Sequence, residues 1–395
     1  MPKLTLERLD LAGKRVFIRA DLNAPLSSGQ VADDTRLRAA VPTIQHALKA
    51  GAAVVLASHL GRPGGKAARE YSLRPVAERL EALVGQRVEL APDCVGPDTL
   101  ARAQALAPGE ILLLENLRFH PGEEANDDGF ARELAALADC YVDDAFAAAH
   151  RAHASIAAIT RHLQPAAAGL LMQQELSALG RIFESPERPL VAILGGAKVS
   201  DKLALVEHLL GQVDALLVGG GMAFTFLLAL GHAVGRSLVE AERVETARAA
   251  LDAARRRGVR LILPLDTVVA ESVDSASGLA VGIRGIPPDH MGLDIGPRTC
   301  ESFAAVTRGA KTIVWNGPMG VFEKAPFAAG TLAVARAVAE APAFSVVGGG
   351  DTIAAVAKAG VMERIGYLST AGGAFLEFLE GRRLPGVDAL TEAPP

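Results

Sequence analysis

The sequence predicts an α/β protein built as two doubly wound parallel-sheet, Rossmann-like domains joined by a hinge helix. Three observations carry this expectation. Short apolar runs alternate with stretches of helical periodicity along almost the whole chain, as in parallel sheets covered by helices on both faces. The alternation pauses once, at a helical stretch from Leu170 to Phe183 followed by the breaker cluster Ser185-Pro186-Glu187-Arg188-Pro189. The residues that end the expected strands also differ between the halves: charged in the first, glycine-rich in the second.

Taken in order, Val16 to Ile18 reads as a strand ending in Arg19-Ala20-Asp21-Leu22-Asn23-Ala24-Pro25. Thr35 is the expected cap of a helix with the stripe Leu37, Val41, Ile44 and Leu48, stopped by Gly51. Pro42 within that stripe predicts a kink or a late start. Val54 to Ala57 is a strand ending in Ser58-His59-Leu60-Gly61-Arg62-Pro63, followed by a helix over Leu73 to Leu83. Ile111 to Leu114 is a strand ending in Glu115-Asn116-Leu117-Arg118-Phe119-His120. A helix from Phe130 to Ala138 leads to Tyr141-Val142-Asp143-Asp144 and then to His150-Arg151-Ala152-His153.

The second half opens with the apolar run Val191 to Leu194, broken by Gly195 and Gly196. Val199, Leu203, Val206 and Leu210 then recur at helical spacing. A strand, a glycine turn and a helix form a place where backbone N–H groups meet an anion. Lys198 in the turn and Lys202 one helical turn later can reach the same space. The motif is not a Walker A loop, because alanine precedes Lys198. Further strands are expected at Ala215 to Val218, Arg260 to Leu263, Thr312 to Trp315 and Phe344 to Val347. Two of these end in Gly219-Gly220-Gly221 and Gly348-Gly349-Gly350, and Asp351-Thr352 opens a helix running to Ala359. Asp351 can serve as that helix's cap, or hold Mg²⁺ beside phosphates at the helix N-terminus.

With 395 residues, 50% of them hydrophobic and 22% charged, the chain has ample core for two or three domains. A net charge of -5 argues against general nucleic-acid binding, so positive charge matters only locally. Cys94, Cys140 and Cys300 show neither metal nor disulfide spacing, which fits a reducing cytoplasm. The N-terminal MPKLTLERLD has no apolar signal core. The uncharged stretch Ala215 to Gly235 is cut by four glycines and reads as strand, loop and buried helix rather than a membrane span.

Ligands of open parallel sheets bind outside the carboxyl ends of strands. In the first half those ends and their loops carry Asp21, Asn23, His59, Arg62, Arg118 and Arg151, with Arg36 nearby. Arginine suits two-pronged capture of carboxylate or phosphate. The alternative is that these arginines pair with Glu115, Asp143 and Asp144. The glycine-ended half suits a nucleotide. An anion site on one domain and a nucleotide site on the other fit phosphoryl transfer across a cleft.

The motifs resemble one family, the phosphoglycerate kinases. They are Arg19 to Pro25, Asp34-Thr35-Arg36, Ser58 to Pro63, Glu115 to Phe119, Ala149 to His153, Gly195 to Lys202, Met291 to Pro297, Trp315 to Pro318, Gly320 to Glu323 and Gly349 to Thr352, in family order. The resemblance implies reversible transfer of the γ-phosphoryl of ATP to the carboxylate of 3-phosphoglycerate, giving 1,3-bisphosphoglycerate and ADP. It implies substrate contacts from Asp21, Asn23, Arg36, His59, Arg62, Arg118 and Arg151. It implies nucleotide contacts from Lys202, Gly292, Asn316, Glu323, Gly349, Gly350, Asp351 and Thr352, with Asp351 holding Mg²⁺. Lys198, Arg36, Gly372 and Gly373 are the implied catalytic positions, and His150 and His153 are read as packing or loop residues. The implied domains are residues 1–168 for 3-phosphoglycerate, a hinge at 169–184, and 185–379 for nucleotide, with 380–395 packing back on the first. A cytoplasmic monomer without nucleic-acid or membrane partners is the family expectation.

The chain departs from the family at Ala147-Ala148, where Gly-Thr is usual, at Ala371, and at Phe375, where a small polar residue is usual. A nicotinamide-dependent dehydrogenase needs a Gly-x-Gly-x-x-Gly turn that neither glycine cluster supplies well. A catalytically impaired binding module of the same fold is the alternative within the family; Lys198, Arg36 and Asp351, whose loss would favour it, are all present.

Overall fold

The computed structural model describes residues 2–394. The chain divides into two compact units: one runs to Leu176 and includes the C-terminal segment from Arg383, and the other is Ser177–Arg382.

The first unit contains strands β1 (Arg15–Ala20), β2 (Leu26–Ser27), β3 (Gln30–Val31), β4 (Ala53–Ala57), β5 (Val88–Leu90), β6 (Ile111–Leu113), β7 (Cys140–Asp144) and β8 (Ala166–Ala168). Six of them form a parallel sheet in the order β5-β6-β4-β1-β7-β8. β4 and β7 are buried along their whole length, so they read as continuous runs rather than alternating ones. β2 and β3 form a short antiparallel hairpin. The C-terminal segment closes this unit: Leu4 N donates to Thr391 O at 2.8 Å, Thr391 N to Ala166 O at 2.9 Å, and Gly386 N to Ala149 O at 2.8 Å.

The helix Thr35–Lys49 differs from the sequence expectation in two ways. Its cap position is Asp34, and Thr35 is already its first residue. It also starts on time and runs through Pro42 as one element. A proline in a helix interior costs about 3 kcal/mol. Leu37 and Ile44 on the same helix are both fully buried, and burying each contributes about 1.5–3 kcal/mol. Packing onto the sheet therefore outweighs the lost hydrogen bond.

The second unit contains β9 (Leu190–Leu194), β10 (Ala215–Val218), β11 (Arg260–Ile262), β12 (Asp266–Ala270), β13 (Leu279–Gly282), β14 (Met291–Ile295), β15 (Thr312–Asn316), β16 (Phe344–Gly348) and β17 (Tyr367–Ser369). Its parallel sheet has the order β11-β10-β9-β15-β16-β17. Strand order reverses between β9 and β15, which opens a crevice at their carboxyl ends. A separate antiparallel sheet has the order β13-β12-β14. The stretch Ala215 to Gly235 is β10 followed by the buried helix Met222–Ala229. No helix among the described residues is long and apolar enough to cross a membrane.

Two helix starts also differ from the sequence reading. The helix expected from Val199 begins at Leu203, after a 3-10 turn at Ser200–Lys202. The helix Gly350–Lys358 is capped at Gly349, so Asp351 lies within its first turn and makes no cap hydrogen bond.

Candidate active site

In the first unit the carboxyl ends of β1 and β4 bring charged residues together. Arg36 forms an ion pair with Asp21. The Asn23 side-chain oxygen accepts from Gly61 N at 2.9 Å, and Arg118 Nη1 donates to Gly61 O at 2.8 Å. Arg118 Nε lies 3.3 Å from Glu124 Oε1 but without hydrogen-bond geometry. Arg151 Nε donates to His150 Nε2 at 3.1 Å. Arg62 is exposed beside this group. The acids named as alternative partners are engaged elsewhere. Glu115 accepts from Leu73 N, Ser72 Oγ and Asn116 N. Asp143 accepts from Ala145 N, and Asp144 from Leu171 N and Met172 N.

Behind the site lies a residue that the motif reading passed over. Arg19 is only 1% exposed, following the apolar run Val16-Phe17-Ile18 of β1. Its Nε donates to Ser155 Oγ at 2.9 Å, its Nη1 to Ala20 O at 2.6 Å, and its Nη2 meets His59 Nδ1 at 3.1 Å. Ser155 Oγ donates in turn to Glu123 Oε1 at 2.6 Å. A guanidinium cannot accept, so His59 Nδ1 is the acceptor and the ring proton sits on Nε2. Burial, then the charges of Arg19, Arg118, His153 and Arg36, push the His59 pKa well below its ordinary value. Burial, then the charges of Arg118, Arg19 and Arg151, lower His153 to about 4. Both rings are neutral at pH 7. Burial also lowers Arg118. The sequence signal for Arg19 was an arginine within a buried parallel strand, where a charge needs a purpose.

In the second unit the crevice between β9 and β15 has a backbone floor. A Cβ on Gly195 would overlap the carbonyl oxygens of Gly317 and Pro318, so only glycine permits this approach. Above it is a pocket of about 460 Å³ lined by Gly220, Phe224, Leu238, Gly292, Glu323 and Asp351, among others. A Cβ on Gly292 would overlap the Phe224 ring, so a larger residue there must displace that ring. Its N–H is held by Ser237 Oγ at 2.9 Å. Glu323 and Asp351 are exposed carboxylates at the wall.

A hydrogen-bonded chain adjoins the pocket. Lys202 Nζ donates to Asn316 Oδ1, and Asn316 Nδ2 donates to Gly348 O at 2.7 Å. Gly317 N donates to Thr352 Oγ1 at 2.7 Å. Burial lowers Lys202 to about 8. Its side chain runs back over Gly196. Gly349 packs against the Asn316 amide, and Gly350 is the first residue of its helix. Lys198 is exposed in the loop between Gly196 and the 3-10 turn. The spacing of one α-helical turn expected between the two lysines is instead a loop followed by the 3-10 turn Ser200–Lys202. Gly372, with a φ of 51°, caps the helix Gly373–Leu379, and neither glycine lines the pocket. Ala371 is buried. Phe375 is fully buried with its ring against Gly348, which accounts physically for an apolar residue there. Ala147 and Ala148 lie in a 3-10 turn, Ala148 packing with Ala145 and Ile156.

The family model described as phosphoglycerate kinase matches residues 6–382. The chain belongs to the phosphoglycerate kinase family. Within that family it is 56% identical over 393 residues to the phosphoglycerate kinase of Moorella thermoacetica, covering 99% of this chain and 100% of the relative. The solved phosphoglycerate kinase of Coxiella burnetii superposes with a TM-score of 0.93 at 44% identity, over 98% of each chain. That of Pyrococcus horikoshii gives 0.80 at 36% identity, again over 98% of each chain.

Proposed function

We infer that the chain is an ATP-dependent kinase that transfers a phosphoryl group reversibly between ATP and the carboxylate of 3-phosphoglycerate, giving 1,3-bisphosphoglycerate and ADP. The observation that carries this is full-length membership of the family with both ligand-competent sites intact: the arginine cluster of the first unit and the glycine-floored pocket of the second.

The first unit is assigned 3-phosphoglycerate, held by Asp21, Asn23, Arg36, His59, Arg62, Arg118 and Arg151. Guanidinium groups match the planar oxygens of phosphate and carboxylate. A neutral His59 with its proton on Nε2 supplies a neutral donor, and Arg19 fixes that tautomer. The second unit is assigned the nucleotide, through Lys202, Gly292, Asn316, Glu323, Gly349, Gly350, Asp351 and Thr352. The apolar wall of Phe224 and Leu238 suits a base, and the N-terminus of the helix Gly350–Lys358 suits phosphates.

Mg²⁺ fits the donor set, because it is held by one or two carboxylates together with substrate phosphates, and Asp351 presents an exposed carboxylate at that helix start. When bound it neutralises phosphate charge. The acceptor carboxylate is already ionised at pH 7, so no residue need remove a proton. What remains is positioning and stabilising charge on the group in transit. Lys198 and Arg36 are assigned that role, with backbone N–H groups at Gly372 and Gly373. The helix Leu170–Phe183, within residues 169–184, is assigned as the hinge between the 1–168 and 185–379 domains, and residues 380–395 as the return segment. A cytoplasmic monomer without nucleic-acid or membrane partners completes the reading.

A coupled assay tests it. ADP should form from Mg-ATP only when 3-phosphoglycerate is present. ATP consumption independent of 3-phosphoglycerate, or none at all with both ligands saturating, would overturn the assignment and favour an impaired binding module.

A further inference from the structure

The first unit gathers three metal-competent side chains that are not among the residues assigned to substrate. Asp93 and Cys94 lie in the turn that follows β5, and His120 lies in the loop that follows β6 and the 3-10 turn Leu117–Phe119. β5 and β6 are adjacent parallel strands with Leu90 beside Leu113, so both loops leave the sheet at the same end. One donor atom from each residue lies within 4.8 Å of the other two. His120 Nε2 is 2.6 Å from Asp93 Oδ1.

We propose that Asp93, Cys94 and His120 form a binding site for a thiophilic divalent cation of the zinc class. Ligand bonds of this class are about 2.0–2.3 Å, so tetrahedral donors stand about 3.3–3.7 Å apart. A separation within 4.8 Å is therefore no more than about 1.5 Å wider than that spacing. A thiolate, an imidazole and a carboxylate together select zinc-like ions over Mg²⁺, which prefers oxygen alone. The Mg²⁺ that accompanies nucleotide is therefore a poor competitor here.

The surroundings hold the donors in place. Asp93 O accepts from Thr99 Oγ1 at 3.0 Å, and Asp93 Oδ1 from Cys94 N at 2.6 Å. The His120 ring stacks on Phe130 at 5.0 Å. Cys94 is fully buried, and its thiol donates to Glu115 O at 2.9 Å. The Asp93 side chain is 50% exposed, which gives an entry path and leaves a fourth position for water. On loading, the Cys94 S–H bond and its hydrogen bond to Glu115 break and that proton passes to solvent, the His120 ring proton shifts from Nε2 to Nδ1 with loss of the hydrogen bond to Asp93, and sulfur, nitrogen and carboxylate oxygen each bond the metal.

The test uses the full chain, freed of metal by chelation and held in excess Mg²⁺. Calorimetric titration with Zn²⁺ should give one equivalent per chain with release of a proton. Co²⁺ should give a sulfur-to-metal charge-transfer band in the near ultraviolet. Cys94→Ser should abolish the band, and His120→Ala should weaken Zn²⁺ binding about tenfold or more. Circular dichroism checks that each variant is folded. If Cys94→Ser does not fold, His120→Ala decides, since its side chain is only partly buried. Three results each overturn the site: no saturable Zn²⁺ binding, a thiolate band that persists in folded Cys94→Ser, or wild-type affinity in folded His120→Ala.

Discussion

Asp144→Asn offers a test of how the helix that leaves the first unit is secured. Asp144 ends β7 and is fully buried. Its Oδ1 accepts from Leu171 N at 2.9 Å and Met172 N at 3.2 Å, in the first turn of the helix Leu170–Phe183. Leu170 N donates to Thr43 Oγ1 at 3.0 Å, so the first three amides of the helix all have partners. Burial, its largest cause, raises the Asp144 carboxyl to about 7. In an unfolded chain the same group ionises near about 3.9. Below that pH both states are protonated and there is no difference. As pH rises from about 4 towards 7 the unfolded chain ionises first, so the stability contributed by the protonated carboxyl is lost. At about 1.4 kcal/mol per unit, a shift of about three units amounts to about 4 kcal/mol. That is an upper figure, because neighbouring Asp143, also raised to about 7 by burial, shares the cost. Asparagine keeps the capping oxygen and does not ionise. The stability of Asp144→Asn relative to wild type should therefore rise by about 2–4 kcal/mol between pH 4.5 and 8.5. For a unit of this size that is about 5–15 °C in relative Tm. Differential scanning calorimetry of both proteins across that range reads it. A Tm difference that stays constant with pH would refute the reasoning. Asp144→Ala, which removes the cap at every pH, should cost about 0.5–2 kcal/mol from the lost cap alone.

Three further outcomes are expected. Lys198→Ala should lower kcat by about 10²–10³ with little change in nucleotide affinity, because a lysine that meets the group in transit acts on the transition state; steady-state kinetics with direct ADP binding would show a raised KM alone if this division is wrong. Affinity for Mg-ADP should be level below pH 8 and fall about tenfold per unit above it, as the Lys202 ammonium, lowered to about 8 by burial, loses its proton; calorimetry should find Lys202→Ala weaker overall and without that bend, and an unchanged bend would remove Lys202 from the phosphate site. Gly292→Val should displace the Phe224 ring into the 460 Å³ pocket and weaken Mg-ADP binding about tenfold or more; an unaltered Kd would move the nucleotide elsewhere.

The sequence alone determined the layered architecture and the family. Strands such as Leu190–Leu194 are buried on both faces, so their composition is uniform and needs no partner to be recognised. Gly195 was legible as the break in its apolar run, where the approach of the Gly317 and Pro318 carbonyls leaves no substitute. Features that depend on neighbours distant in the chain were not legible. Pro42 stands inside a helix because Leu37 and Ile44 find the sheet beneath them. The strands β5, β8 and β17, reading VEL, AAA and YLS, lack a continuous run of large apolar residues and do not stand out before a neighbour pairs with them. Lys198 and Lys202 look alike in sequence, yet the 3-10 turn leaves one in solvent and folds the other onto Asn316. Arg19 acquires its role only when Ser155 and His59 arrive from 136 and 40 residues away. Cys94, whose spacing to the other cysteines suggested no metal, meets His120 only because β5 and β6 lie side by side. Periodicity and backbone chemistry are local and survive in one dimension. Ion pairs, tautomers and donor clusters are set by which strand ends the topology makes neighbours.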